Sequence, residues 1–125
     1  MSKIRGHGEL FNGTVADNDK SKVVSVGPAS DVAIFIENTG GQPIDFTVVC
    51  SGNDGLSAGR NAVPSDPALM FEYVERDNSA ILVLSVAAGK RRCFDLSPFA
   101  PQFLALIADA NSGSSTIKAS VTTNG

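Results

Sequence analysis

The stretch from Val32 to Cys50 reads VAIFIENTGGQPIDFTVVC and decides the fold class. In its first six residues, β-branched apolar side chains occupy every second position, so they share one face of an extended strand. The run from Ile44 to Cys50 alternates in the same way. Between the two runs, Asn38-Thr39-Gly40-Gly41 supplies residues that tolerate the backbone angles of a turn. The stretch therefore predicts two β-strands joined as a hairpin.

Runs of the same kind recur on both sides of this stretch, separated by turns rich in Gly, Pro, Asn and Ser. Residues 81–86 form an apolar run whose length suits a strand buried on both faces. Residues 69–75 are ambiguous, because Asp66 and Pro67 could also start a helix, but their alternation favours a strand. The other predicted strands cover residues 10–15, 22–26, 32–37, 44–50, 91–96, 103–108 and 116–122.

These segments predict an all-β fold class with about eight short strands. Two packed antiparallel sheets, as in a β-sandwich or a jelly-roll-like fold, are the natural arrangement for such strands. We expect residues 10–125 to form a single β-sandwich domain and residues 51–67 to form a long exposed loop within it. We expect residues 1–9 to form an extended N-terminal arm.

The predicted arm is polar. It carries Lys3, Arg5, His7 and Glu9, and its one branched apolar residue is Ile4. Such a segment has too little apolar area to order itself, so we expect a neighbouring subunit to hold it. The predicted subunit interface comprises Lys3, Ile4, Arg5, His7, Leu10 and Phe11.

Charge and composition exclude several classes of function. The 125 residues include 10 Lys and Arg against 13 Asp and Glu, and the net charge of -3 argues against nucleic acid or an anionic membrane as a partner. One His and two Cys cannot build a zinc or haem site, so we expect no metal and no cofactor. No apolar run resembles a secretory signal or approaches the roughly 20 residues of a membrane span. We therefore expect that the chain is made in the cytoplasm, or that it reaches its destination by another route such as host lysis.

Cys50 and Cys93 leave two alternatives. A disulfide between them would stabilise the chain by roughly 4 kcal/mol, according to the entropy model. Otherwise they are two buried free thiols that behave as small apolar residues. The lack of a secretion signal favours the free thiols, because disulfides persist in oxidising compartments.

The sequence gives little support for catalysis. His7 is the only histidine and lies in the predicted arm, yet a Ser-His-Asp or Cys-His arrangement would have to use it. We predict no catalytic residue and no enzyme. The basic cluster Lys90-Arg91-Arg92 favours a solvated turn or a contact with an acidic partner surface. Together with the loop 51–67, it leaves a small ligand-binding β module as an alternative.

Five sequence elements carry a resemblance to a known group of proteins. They are VAIFIENTG at 32–40, IDFTVVCSGN at 44–53, VAAGK at 86–90, FAPQFLALI at 99–107 and STIKASVT at 115–122. This pattern covers most of the chain and resembles small β-sandwich structural proteins of phage virions, of the capsid decoration type. It is distantly similar to spore appendage subunits, but those carry cysteines in the N-terminal arm and this chain carries none there.

The resemblance implies a non-enzymatic structural protein that self-assembles or decorates a larger assembly through its N-terminal arm. The expected partners are further copies of the chain, in a homo-oligomer, and a capsid or fibre lattice protein. The expected location is the virion. A subunit of an extracellular or spore-surface fibre, similar to a pilus, is the alternative.

Overall fold

The computed structural model describes residues 5–26, 31–52, 66–75, 80–99 and 101–124. These residues contain nine β-strands and one short 3-10 turn, Pro67–Leu69. The strands are β1 (Arg5–Ala16), β2 (Val24–Ser25), β3 (Asp31–Asn38), β4 (Ile44–Ser51), β5 (Phe71–Glu72), β6 (Val83–Val86), β7 (Arg91–Asp95), β8 (Phe103–Asp109) and β9 (Ser114–Asn124). Within the described ranges, no helix is long and apolar enough to cross a membrane.

The strands form two antiparallel sheets that face each other. The first sheet has the order β1-β9-β3-β7. The second has the order β2-β8-β4-β5, and β6 also pairs with β4. From β1 to β4, and again from β6 to β9, every connection crosses from one sheet to the other. This is the strand order of a jelly roll, so the predicted all-β sandwich class is confirmed.

The predicted hairpin across 38–41 is wrong, because β3 lies in the first sheet and β4 in the second. Each strand has one apolar face, and facing sheets bury these faces against each other. The side chains concerned are at most 1% exposed: Val32, Ile34, Ile36, Ile44, Phe46 and Val48. The alternation that predicts both strands is the same whether they pair within one sheet or lie in two facing sheets.

The main hydrophobic core lies between the two sheets. Phe46 of β4 is fully buried there, and its ring centroid lies 5.7 Å from that of Phe11. A smaller cluster lies on the outer face of the second sheet, where Met70 packs with Val49, Phe103 and Ala105. The 3-10 turn delivers Met70 to this cluster.

Two segments differ from their predicted structure. In 69–75, the Asp66 carboxylate accepts a hydrogen bond from the Ala68 amide at 3.0 Å and caps the 3-10 turn, so only Phe71–Glu72 is a strand. In β6, burial alternates and Val83 is 46% exposed, so the strand is buried on one face and not on both. Most of the predicted loop 51–67 lies outside the described residues.

Residues 5–9 lie in β1 rather than in a separate arm. β1 pairs with β9 from Arg5, opposite Asn124, to Ala16, opposite Ser114. Backbone pairing therefore supplies the order that the apolar content of this segment could not supply. Leu10 and Phe11, which the sequence assigned to the interface, are buried in the core of their own chain.

Candidate assembly surfaces

Strand register arranges the outer face of the first sheet in three rows. The apolar neighbours of these residues along each strand point into the core. Read across β1, β9, β3 and β7, the rows are Asn12, Lys118, Glu37 and Arg91; then Glu9, Ser120, Phe35 and Cys93; then His7, Thr122, Ala33 and Asp95.

An exposed aromatic ring stands near the centre of this face. Phe35 lies between Cys93 of β7 and Ser120 of β9, and 46% of it is exposed. Around it the face forms an open depression of about 570 Å³. We call this the Phe35 depression; its floor and rim include Phe35, Glu37, Arg91, Cys93, Lys118 and Ser120. Burying a fully exposed Phe side chain contributes roughly 1.5–3 kcal/mol. Because Phe35 is already half covered, a partner that covered the rest would gain a part of that energy.

The charged side chains that line the Phe35 depression leave a small excess of positive charge. They are Arg91, Arg92, Lys118, Glu9 and Glu37. Arg91 Nη2 lies 3.2 Å from Glu37 Oε1, and Glu9 Oε1 lies 3.4 Å from Lys22 Nζ. Both ion pairs reach solvent, so each contributes little to folding. These groups remain available to a partner at little cost to the fold.

The residues of the predicted N-terminal interface are separated by the fold. His7 is exposed and lines the Phe35 depression. Arg5 stands opposite Asn124 at the end of β1. Leu10 and Phe11 are core residues, and Lys3 and Ile4 lie outside the described ranges. Two residues of the predicted interface, His7 and the largely buried Phe11, line the Phe35 depression, and the predicted interface does not include Phe35.

The two cysteines are both free and lie in different sheets. Cys50 of β4 is buried, as expected, and burial raises the pKa of its thiol. The expected burial of Cys93 is wrong, because Cys93 lies on the outer face of the edge strand β7 and is exposed. The free-thiol alternative describes the structure, and the disulfide does not.

We expect the two thiols to differ strongly in reactivity. In the native protein, Cys93 should react with an aromatic disulfide reagent, while Cys50 should react only in denaturant, since it is both buried and poorly ionised. Counting the released chromophore should show one thiol that reacts quickly in the native protein and a second thiol that reacts only after denaturation. Cys93→Ser should remove only the thiol that reacts quickly. Two thiols that react quickly in the wild type would contradict the placement of Cys50.

In the described part of the protein, most of the large exposed apolar side chains lie in one part of the chain. Among the described residues, six large apolar side chains are exposed, and five of them lie between positions 69 and 83. They are Leu69 (66%), Phe71 (56%), Val74 (46%), Ile81 (43%) and Val83 (46%). Scattered apolar side chains are normal on a surface, whereas such a concentration is typical of a contact site.

Apart from Leu69, which lies in the 3-10 turn, these side chains belong to a two-stranded ribbon at the edge of the second sheet. We define the edge ribbon as residues 71–75 and 80–86. Its two strands pair with adjacent stretches of β4, with Glu72 opposite Val49 and Val83 opposite Thr47, and they converge at Val48 between these positions. The Tyr73 amide donates to the Val48 carbonyl at 2.9 Å, and the Val48 amide donates to the Leu82 carbonyl at 3.2 Å. Beyond that point the strands pair with each other, as in the 2.7 Å bond from the Glu75 amide to the Ala80 carbonyl. The ribbon therefore extends away from β4.

Register places three of the exposed apolar side chains of the edge ribbon on one side. Val74 pairs directly with Ile81, and Val83 follows two residues later on the same side of its strand. Tyr73 and Leu82, on the other side, pack against the main core, and the Tyr73 ring centroid lies 5.2 Å from that of Phe99. The ribbon is thus anchored on its inner side and apolar on its outer side.

Within the described ranges, no three His, Cys, Asp or Glu side chains come together in a way that could hold a metal ion. The basic cluster places Arg91 and Arg92 beside the Phe35 depression. The loop that was its proposed companion in a ligand site lies mostly outside the described residues.

No protein-family model and no curated protein sequence matches the chain. The fold is similar to that of the SPBc2 prophage-derived protein YomS, with a TM-score of 0.59 at 8% identity, over 98% of this chain and 96% of that one. It is similar to a part of tripeptidyl peptidase 2, with a TM-score of 0.54 at 13% identity, over 94% of this chain and 10% of that one. A chain of the Bacillus endospore appendages, described as disulfide-linked pili, gives a TM-score of 0.38 at 11% identity, over 98% and 90% of the two chains.

These likenesses concern the fold. The match to YomS spans nearly all of both chains, so the predicted resemblance to β-rich proteins of phage origin is confirmed at the level of the fold. The same fold also occurs as a small part of a peptidase, which illustrates that a fold does not by itself identify a function. At its lower score, the appendage likeness carries no argument. Function has to be argued from the two surfaces described above.

Proposed function

We propose that this chain is a non-enzymatic structural protein that packs into a larger protein assembly, as a capsid decoration or minor virion protein of a phage. The observation that carries this proposal is the outer side of the edge ribbon, where Val74, Ile81 and Val83 are exposed together. Removing apolar surface from water is favourable by roughly 25 cal/mol per Å². Contact with another subunit would cover these side chains. The fold shared with a prophage-derived protein supports the phage context.

The proposal includes an N-terminal contact. β1 is an edge strand of the first sheet, and within the described ranges one of its sides has no neighbouring strand in that sheet. The proposed contact comprises Lys3, Ile4, Arg5 and His7. An unpaired edge is a template for another chain, and strand addition is a common way of using it.

Val83→Glu should weaken assembly by about tenfold or more in dissociation constant, which corresponds to about 1.4 kcal/mol. A carboxylate at this position would replace the apolar contact of Val83 and would have to lose water on docking. The fold should survive, because Val83 is exposed on a sheet edge. Sedimentation velocity over a range of concentrations measures the effect, and thermal unfolding checks the fold.

Ser25→Glu is the matched control, because it adds the same charge on β2, at the opposite edge of the same sheet. It should assemble as the wild type does. Assembly of Val83→Glu at wild-type strength would contradict the role of the edge ribbon. Negative-stain images of the wild type separate decoration from the fibre alternative: discrete oligomers agree with decoration, and long filaments built from this chain alone contradict it.

A further inference from the structure

We propose that the edge ribbon of one copy docks into the Phe35 depression of a second copy, so that the chain assembles head to tail. This inference rests on the structural role proposed above and names the partner of the edge ribbon.

The two surfaces differ in shape. The edge ribbon extends away from β4, and beyond Val48 its strands pair with each other. The Phe35 depression is a concave region on the outer face of the first sheet. The two sheets of a sandwich turn their outer faces in opposite directions, and none of the described ribbon residues lines the depression of its own chain. A second copy can supply it.

The two surfaces also complement each other chemically. The ribbon presents Val74, Ile81 and Val83, and the depression presents the exposed ring of Phe35. Contact would remove these apolar groups from water together, which is the main source of favourable energy in protein association.

Charge favours the same pairing. In the described part of the edge ribbon, the charged side chains are Glu72 and Glu75, both acidic. The depression holds three cations, Arg91, Arg92 and Lys118, against two carboxylates. Opposite charges at the rim of an interface speed association and select the partner. Packing one Phe35 depression against another would instead bring two faces with the same excess of positive charge together.

Because the two surfaces are different, the contact is heterologous. Each copy would offer a ribbon to one neighbour and a depression to the other, so the assembly either closes as a ring or continues as a filament. This arrangement has a testable consequence: a copy with only one working surface can still form one contact.

Two variants at separate sites provide the test. Phe35→Glu should block the depression and leave the ribbon intact, whereas Val83→Glu should block the ribbon and leave the depression intact. Each variant alone should sediment as a monomer at concentrations where the wild type assembles. Mixed in equal amounts, they should form a one-to-one dimer that grows no further. The dimer should weaken with added salt, because acidic and basic groups face each other.

Each other outcome overturns the inference in a recognisable way. If Phe35→Glu assembles as the wild type does while Val83→Glu does not, the ribbon binds a different surface, and the proposed structural role stands. If Phe35→Glu is monomeric while Val83→Glu alone forms dimers, two Phe35 depressions pack together, and the head-to-tail arrangement is wrong. A mixture of the two variants that stays monomeric, while the wild type assembles, also contradicts the head-to-tail arrangement. A wild type that is monomeric throughout contradicts the head-to-tail inference, whereas a structural role in which the edge ribbon packs against a different lattice protein would stand.

Discussion

Phe46→Ala should lower the free energy of unfolding by about 3–5 kcal/mol, the usual cost of truncating a fully buried aromatic residue. The Phe46 side chain has no exposed surface and contacts Phe11 of the facing sheet, with ring centroids 5.7 Å apart. Its removal would leave a cavity between the two sheets, because β4 is paired on both edges and has little freedom to move inward. Urea denaturation followed by circular dichroism measures the loss.

Phe35→Ala is the matched control for this prediction. Phe35 occupies a central strand of the other sheet but points outward, with 46% of its surface exposed. Its truncation should cost less than about 1 kcal/mol, since it leaves no buried cavity. Equal losses in the two variants would contradict the assignment of Phe46 to the core and Phe35 to the surface. The control also separates folding from assembly, because Phe35→Ala should affect assembly more than stability.

Asn38→Ala should destabilise the fold by about 2–4 kcal/mol, because it leaves buried polar groups without partners. Asn38 is 1% exposed at the end of β3. Its Nδ2 donates to the carbonyls of Gln42 (2.8 Å) and Val86 (3.2 Å). Its Oδ1 accepts from the Gly40 amide at 3.1 Å and from the Ser115 hydroxyl at 2.6 Å. One side chain thus ties together β6, β9 and the connection that crosses from β3 to β4.

Asn12→Ala tests whether this effect belongs to the site and not to the residue type. Asn12 is an exposed asparagine of β1, and its side chain donates one long bond of 3.4 Å to Glu9. Its replacement should change the unfolding free energy by less than about 0.5 kcal/mol. Comparable losses at positions 12 and 38 would contradict the claim that the Asn38 hydrogen bonds hold the crossing between the sheets.

The strands were predictable from the sequence, but the way they combine was not. Alternation in 32–37 and 44–50 identifies two strands with one apolar face each, and it does not say whether those faces lie side by side or opposite each other. The same limit applies to residues 5–9. Their order comes from pairing with β9 at the far end of the chain, and no local pattern in a polar segment indicates such a partner.

The two candidate surfaces show the same limit. The alternation of β3 places Phe35 on the face opposite Ile34 and Ile36, but which face meets water depends on the sheet arrangement. Val83 belongs to an apolar run that suits a doubly buried strand, and it is exposed because β6 flanks β4 at an edge. An unusual density of large apolar residues between positions 69 and 86 was the available signal. To interpret this signal correctly, one has to know which of these strands lies at the edge of the second sheet.

The central claim is that copies of the chain assemble with one another, and the mass of the purified wild-type protein in solution tests it most directly. Sedimentation velocity should show a monomer at low concentration and larger species as concentration rises, and Val83→Glu should remain at the monomer mass over the same range. A single monomer boundary for the wild type at every concentration would contradict the account.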